Sequence, residues 1–166
     1  MAETNTNPFV SELDWDNGED AFPPENTGLT GDSRTEARLC AAQGLYTSVV
    51  MGKDARDVAA EFEPKLNKRK ADKKLYRAIM AEAGEGAERY KTMLEAEIQE
   101  KWEWSRMDPV LRALGLSGAA ELTANPEAPV AVIISEYLNI AKAFVTPDEV
   151  AYLNKSLDSI AKKVRG

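Results

Sequence analysis

Two arginines spaced four residues apart are the side chains of this sequence best suited to bind an anion. Arg34 and Arg38 fall on one face of a predicted helix, away from its apolar stripe at Leu39 and Tyr46. Side chains four apart on a helix are neighbours, and the first turn also offers unpaired backbone N–H groups. The pattern therefore predicts a small, exposed anion-binding surface where this helix begins.

Catalytic and metal chemistry have few candidates in the same chain. It contains no histidine and one cysteine, Cys40, which excludes the Ser-His and Cys-His nucleophiles, the commonest zinc ligand and an intrachain disulfide. It has no glycine-rich phosphate loop, and Glu61 and Glu63 point apart on a helix. We therefore expect no enzymatic activity, no cofactor and no metal. The single thiol, with no signal sequence and no apolar run long enough for a membrane, is typical of a cytoplasmic protein.

A second group of cations forms the densest basic run of the chain. Its members are Lys65, Lys68, Arg69, Lys70, Lys73, Lys74 and Arg77. The spacing places Lys70, Lys73, Lys74 and Arg77 on one face of a predicted helix, where they could follow a row of phosphates. A basic run of this kind is also typical of an ordinary solvated helix face, and both interpretations stay open.

Seven helical segments must position these side chains. Apolar residues recur at helical spacing in segments near 33–52, 54–64, 70–83, 87–102, 108–124, 129–145 and 146–164. No segment shows convincing strand alternation, so the fold class is all-α, with short loops and antiparallel neighbours. The sixth segment has a wide apolar stripe, which predicts a central place in its bundle.

Three of these helices carry clear start signals. Ser33 and Glu36 form the pattern of a capping box, in which the serine oxygen accepts from the third backbone N–H. Asp54 precedes the second helix, and Thr146 precedes Pro147 and Glu149 at the seventh. We predict that Ser33, Asp54 and Thr146 are the N-caps.

Residues 1–32 differ in composition from the rest of the chain. They hold eight acidic residues and no Lys or Arg, leaving 21 basic and 20 acidic residues in the other 134. The segment is rich in breakers such as Pro23-Pro24, so we predict a disordered acidic N-terminal extension followed by one helical domain at 33–166. The extension can serve as a solubilising tail or, through Phe9, Leu13 and Trp15, as a linear interaction motif.

The order of these motifs resembles the NusB family of bacterial transcription antitermination factors. Glu36-Ala37-Arg38 and Gln43-Gly44-Leu45-Tyr46 match, in register, a family helix that typically opens with arginines and Ala-Arg and ends Gln-Ala-Leu-Tyr. Further segments that resemble the family sequence lie at 107–113, 129–136 and 153–161. The resemblance covers roughly residues 33–164.

This resemblance implies a seven-helix fold of two packed antiparallel helical sub-bundles. It also implies binding to a short single-stranded leader RNA of ribosomal RNA operons, boxA, together with the ribosomal protein NusE in an RNA polymerase antitermination complex. The family's RNA-binding positions carry over to Arg34, Arg38 and Tyr46, and an aromatic of the last helix carries over to Tyr152. Family members occur as monomers and dimers, so a homodimer is among the expectations.

Charged positions depart from the family pattern more than core positions do. Thr35 and Glu36 stand where the family has further arginines, and Leu116 stands where the fifth helix has one. Fewer phosphate partners weaken RNA binding. One alternative is therefore a divergent NusB-fold paralogue that has lost specific RNA binding and acts as a protein-interaction or regulatory module. Another is the targeting part of an RNA-modifying enzyme, because similar domains precede RNA methyltransferase domains.

Overall fold

A computed structural model describes residues 32–98 and 102–165 of the chain. These ranges form seven α-helices, with a 3₁₀ turn at Trp104–Arg106 between the fourth and fifth. The helices are α1 (Ser33–Met51), α2 (Ala55–Arg69), α3 (Lys73–Glu85), α4 (Ala87–Glu95), α5 (Pro109–Ala124), α6 (Val130–Lys142) and α7 (Pro147–Arg165). The described ranges contain no strand, and none of their helices has the length and apolar character needed to cross a bilayer. The predicted disorder of the N-terminal extension falls outside the described residues.

The helices pack as two sub-bundles that share one central helix. α1, α2 and α3 contact one another, and α6 packs against α7. α4 contacts α3, α5 and α7, while α5 contacts α1, α3, α4, α6 and α7. The all-α, seven-helix fold of two packed sub-bundles expected from the sequence is confirmed.

α5, rather than the predicted sixth helix, is the central element. Small residues let its neighbours approach closely: a Cβ added at Gly115 would lie 3.0 Å from Leu94 Cδ2, and one at Gly118 would lie 2.9 Å from Leu157 Cδ2. α5 is buried on nearly all sides because five other helices contact it. The predicted central place of α6 is wrong, because this helix leaves Ala131 and Val132 exposed to solvent.

Two of the three predicted helix starts are confirmed. Asp54 Oδ1 accepts a hydrogen bond from Arg56 N at 2.8 Å at the start of α2. At the start of α7, Thr146 Oγ1 accepts from Glu149 N at 3.2 Å, and Glu149 Oε1 accepts from Thr146 N at 2.9 Å. This reciprocal pair is the capping box, here at the last helix.

Three predicted helix boundaries are wrong. α2 continues through Pro64 to Arg69, beyond the predicted end near 64. α3 begins at Lys73 and not near 70, because Lys70 ends α2 in the left-handed region at φ 56° and Asp72 caps α3 by accepting from Leu75 N at 3.0 Å. α4 ends at Glu95, well before the predicted end near 102.

Candidate functional site

The start of α1 is capped by Asp32. Asp32 Oδ1 accepts from Arg34 N at 2.7 Å, and Ser33 is already helical, so the predicted serine cap is wrong. A carboxylate both accepts this bond and complements the positive end of the helix dipole. Glu36, expected to reach back to the cap, instead accepts from Arg69 Nε at 2.9 Å.

Two contacts join the α1 start to the turn between α2 and α3. Asp72 N donates to Ser33 O at 2.9 Å, and the Arg69–Glu36 ion pair lies beside it. The contacts bring together exposed cations that are distant in sequence and form no ion pair with another described residue. We call them the basic surface: Arg34, Lys68, Lys70, Lys73 and Lys74.

The predicted helical face of four cations is only partly present. Lys73 and Lys74 are on α3, but Lys70 belongs to the end of α2. Arg77 is bound to Glu63, with Nε to Oε2 at 2.8 Å and NH2 to Oε1 at 3.1 Å. These hydrogen bonds lower the pKa of the Glu63 carboxyl and raise that of the Arg77 guanidinium. Arg77 is therefore committed to a partner.

Arg38 lies inside the protein, although the sequence predicted an exposed side chain beside Arg34. It is 3% exposed, and its guanidinium donates from Nε to Glu121 Oε1 at 2.8 Å and from NH2 to Glu121 Oε2 at 2.7 Å. Its third nitrogen, NH1, lies 3.3 Å from Glu136 Oε1. The predicted exposure is wrong because the carboxylates of Glu121 on α5 and Glu136 on α6 bind this side chain inside the protein.

The Glu121 carboxylate accepts four hydrogen bonds while it is fully buried. Besides the two from Arg38, Tyr137 OH donates to Oε1 at 3.0 Å and Asn125 Nδ2 donates to Oε2 at 2.9 Å. Burial alone would lower the pKa of Arg38, but the bond and the charge of Glu121 raise it above its ordinary value. Burial, followed by the charge of Glu121, raises the pKa of Tyr137. This network joins α1 to α5 and α6.

A groove of about 550 Å³ opens beside this network, between the α1 start and the beginning of α6. Glu136 forms one wall, where it accepts from Thr35 Oγ1 at 2.9 Å. Val132, 47% exposed, stands at the rim. The charged lining residues besides Arg38 are Arg34, Lys74, Asp32, Asp72, Glu127 and Glu136. The groove therefore carries both signs of charge, and it shares Arg34 and Lys74 with the basic surface.

Arg165 fixes the loop that closes the far side of the groove. Its guanidinium donates to the carbonyl oxygens of Leu122 at 2.8 Å, Asn125 at 2.6 Å and Ala128 at 2.7 Å. Carbonyl groups at the end of a helix lack partners within the helix. Arg165 thus supplies donors to the end of α5 and to the loop after it.

The two tyrosines predicted to bind are buried in other parts of the molecule. Tyr46 is eight residues beyond Arg38, about 12 Å along the helix axis, and burial and the charge of Asp108 raise its pKa. Tyr152 is 4% exposed and donates to Leu94 O at 2.7 Å, with its ring edge-on to Trp102 at 5.5 Å. Burial raises the pKa of Tyr152 to about 12.

Of the four predicted site residues, the structure brings together Arg34 and Arg38, and only Arg34 offers its charge to solvent. Direct binding by any of the four stays a prediction. Sequence reasoning missed Asp72 and Glu121. Asp72 directly precedes a helical segment, which is an N-cap signal. Glu121 is a lone carboxylate among small apolar residues, which signals a buried ion pair without naming the partner.

Both the sequence and the fold of this chain are similar to those of known proteins. Residues 35–162 match the model of the NusB family. Proteins named transcription antitermination protein NusB from Brucella suis (strain ATCC 23445 / NCTC 10510) and Brucella ovis are 41% and 40% identical over 152 residues, which covers 87% of this chain and 89% of theirs. The solved structure of T. maritima NusB superposes with a TM-score of 0.66 at 25% identity, covering 81% of this chain and 93% of that one.

Proposed function

Because the chain belongs to the NusB family, we propose that it acts in transcription antitermination by binding a boxA-type single-stranded leader RNA of ribosomal RNA operons. NusE is the proposed protein partner, within an RNA polymerase antitermination complex. The observation that carries the RNA contact is the basic surface, where five exposed cations lie together around the α1 start and the α2–α3 turn. The proposal assigns no catalytic step to the chain.

The basic surface suits a phosphate backbone for electrostatic reasons. Each cation that neutralises a phosphate releases a condensed counterion, which makes affinity depend strongly on salt. Arg34 adds a planar donor fork at the first turn of α1. Lys68, Lys70, Lys73 and Lys74 supply point charges along the turn that is joined to this helix end.

We propose less direct roles in RNA binding for the other three predicted site residues. Arg38 supports the RNA surface through its bonds to Glu121 and Glu136, which hold the α1 start against α5 and α6. Stacking of an unpaired base on Tyr46 or Tyr152 would require movement of the side chains that bury these rings. Arg34 is therefore the member of the predicted set that we propose contacts phosphate directly.

A fluorescence anisotropy titration of labelled boxA-type RNA, with and without NusE, tests the proposal. We expect tighter binding than to a scrambled RNA of equal length. The triple variant Arg34→Gln/Lys73→Gln/Lys74→Gln should make the negative slope of log K against log salt shallower by about 2, at ~0.7 for each single-strand phosphate that is no longer neutralised. The matched control Lys142→Gln/Lys155→Gln/Lys162→Gln removes exposed charges on α6 and α7 and should change the slope by less than about 0.5.

Lys70→Gly separates binding from folding. The substitution removes one cation and also relieves a left-handed backbone at φ 56°, so we expect weaker RNA binding without loss of stability. Equal affinity for boxA-type and scrambled RNA at low salt would contradict the proposal.

The mixed charge of the groove favours a second candidate function, a protein-interaction or regulatory module that has lost specific RNA binding. Glu127 and Glu136 line the groove together with Arg34 and Lys74, and Val132 stands at the rim. A surface with both charges and an apolar edge suits a protein segment better than a polyanion. Binding to NusE that is unchanged by RNA, with no preference for boxA-type RNA, would support this candidate.

A further inference from the structure

We infer that the basic surface is also the docking site of this chain's own acidic N-terminal segment, residues 1–31, which competes there with RNA. The competition rests on the proposed function, whereas the docking does not. Both follow from the distribution of charge and from the point where the segment joins the described fold.

The charges of the two parts are complementary. Residues 1–31 contain seven carboxylates and no Lys or Arg: Glu3, Glu12, Asp14, Asp16, Glu19, Asp20 and Glu25. The basic surface offers five cations that form no ion pair with another described residue. Opposite charges attract over a screening distance of about 8 Å at physiological salt, so the contact needs no single fixed geometry.

Cations elsewhere in the described ranges are less available as a group. Most arginines are engaged, in the pairs Arg38–Glu121, Arg69–Glu36, Arg77–Glu63, Arg89–Glu82 and Arg56–Asp54. On α7, Lys155 and Lys162 are paired with Glu97 and Asp158. Single lysines such as Lys91, Lys142 and Lys163 lie on three different helices, α4, α6 and α7. The basic surface is therefore the place where several carboxylates can find cations at the same time.

The segment joins the fold at the edge of this surface. Ser33 O accepts from Asp72 N at 2.9 Å, so Lys73 lies one residue away from a direct contact with the segment's attachment point. Glu25 is seven residues before Asp32, a reach of at most about 25 Å for extended chain. A carboxylate near Glu25 can therefore return to the α2–α3 turn without any rearrangement of the helices.

Covalent attachment of the segment to the helical domain makes a weak contact between them sufficient for docking. A short covalent connection holds its end near the surface at an effective concentration in the mM range. A segment with an intrinsic Kd between about 0.1 and 1 mM would then occupy the surface in half or more of the molecules, and RNA affinity would fall by about 2- to 10-fold.

Zero-length carbodiimide crosslinking of the full chain, without RNA, tests the docking. The reagent activates a carboxylate, and a lysine amine in contact with it forms an amide. We expect links from carboxylates at 12–25 to Lys68, Lys70, Lys73 or Lys74 at 20 mM NaCl, and their loss at 500 mM NaCl. Links to the reference lysine Lys142 in equal yield would overturn the docking.

RNA binding by full-length variants tests the competition. One variant neutralises the segment: Glu3→Gln, Glu12→Gln, Asp14→Asn, Asp16→Asn, Glu19→Gln, Asp20→Asn and Glu25→Gln. The matched control neutralises seven exposed carboxylates of the helical domain: Asp57→Asn, Glu85→Gln, Glu88→Gln, Glu95→Gln, Glu103→Gln, Asp148→Asn and Asp158→Asn. At low salt we expect RNA affinity to rise about 2- to 10-fold in the first and less than 2-fold in the control.

The outcomes separate this inference from the proposed function. An equal gain in both variants reflects total charge alone and overturns the competition. Segment-specific crosslinks with no RNA binding by any variant would overturn the proposed function, and with it the competition, while they support the docking.

Discussion

Replacing Arg38 by methionine should destabilise the protein more than any other single loss of a charged side chain on α1. The substitution keeps most of the side-chain volume but removes both hydrogen bonds to Glu121, at 2.8 and 2.7 Å. Glu121 is fully buried and would keep only two neutral donors, Tyr137 OH and Asn125 Nδ2. A buried carboxylate without its counter-charge is the reason for the expected loss.

The magnitude follows from the burial of the pair. Removing one partner of a buried ion pair costs about 3–5 kcal/mol. Glu121→Gln should cost less, about 2 kcal/mol, because the retained Arg38 still has Glu136 at 3.3 Å and the glutamine keeps an acceptor oxygen. The double variant Arg38→Met/Glu121→Gln removes both charges, so its cost should fall short of the sum by about 2 kcal/mol.

Urea unfolding of the four proteins of this cycle, followed by circular dichroism at 25 °C, gives the free energies of unfolding. Similar m-values across the cycle would show that the unfolded states are comparable. Arg34→Met is the matched control, since Arg34 is exposed, and it should cost less than about 0.5 kcal/mol. A cost for Arg38→Met below ~1 kcal/mol, a larger cost for Glu121→Gln, or additivity within ~0.5 kcal/mol would refute the reasoning.

Two further predictions concern the core. Gly118→Val should lower the free energy of unfolding by about 1–3 kcal/mol, because even its Cβ would lie 2.9 Å from Leu157 Cδ2. Ala151→Val, at an exposed position, is the control. Equal urea midpoints for the two variants would contradict the close packing. All five tyrosines have a raised pKa, with burial as the largest cause, and that of Tyr152 reaches about 12. Above pH 10 the unfolded chain releases phenolic protons that the folded chain keeps, so stability should fall with rising pH by up to ~1.4 kcal/mol per unit for each such tyrosine. Phenolate absorbance at 295 nm should therefore rise together with the loss of helical signal. A separate step of absorbance near pH 10, with the helical signal unchanged, would contradict this prediction.

Helix starts were predictable where one side chain bonds to the nearby backbone. Asp54 and Thr146 accept from N–H groups two and three residues away, so the signal and its partner lie in the same short stretch. At α1 the adjacent residues Asp32 and Ser33 are both suitable N-caps. Asp32 is the N-cap in the structure, because its carboxylate also interacts with the helix dipole. Local patterns therefore predicted the seven helices more reliably than their first and last residues.

The site was less predictable because its residues are set by distant partners. The exposure of Arg38 depends on Glu121, 83 residues further along the chain, and no helical spacing contains that information. Arg34 and the lysine-rich run were each recognised as anion-binding candidates. Their union in one surface depends on the contact between Ser33 and Asp72, which is a property of the folded chain.

The central position of α5 has a consequence for the pattern of tolerated mutations. α7 buries one stripe, with Tyr152, Leu153, Ser156 and Leu157 inside and the intervening residues exposed, so harmful substitutions should recur along it with a period near 3.6 residues. Along α5, residues 117–122 are all buried, since a different helix lies on each side. A saturation scan should therefore show an unbroken sensitive block in α5, because this helix has no solvent-facing side on which sequence change could accumulate.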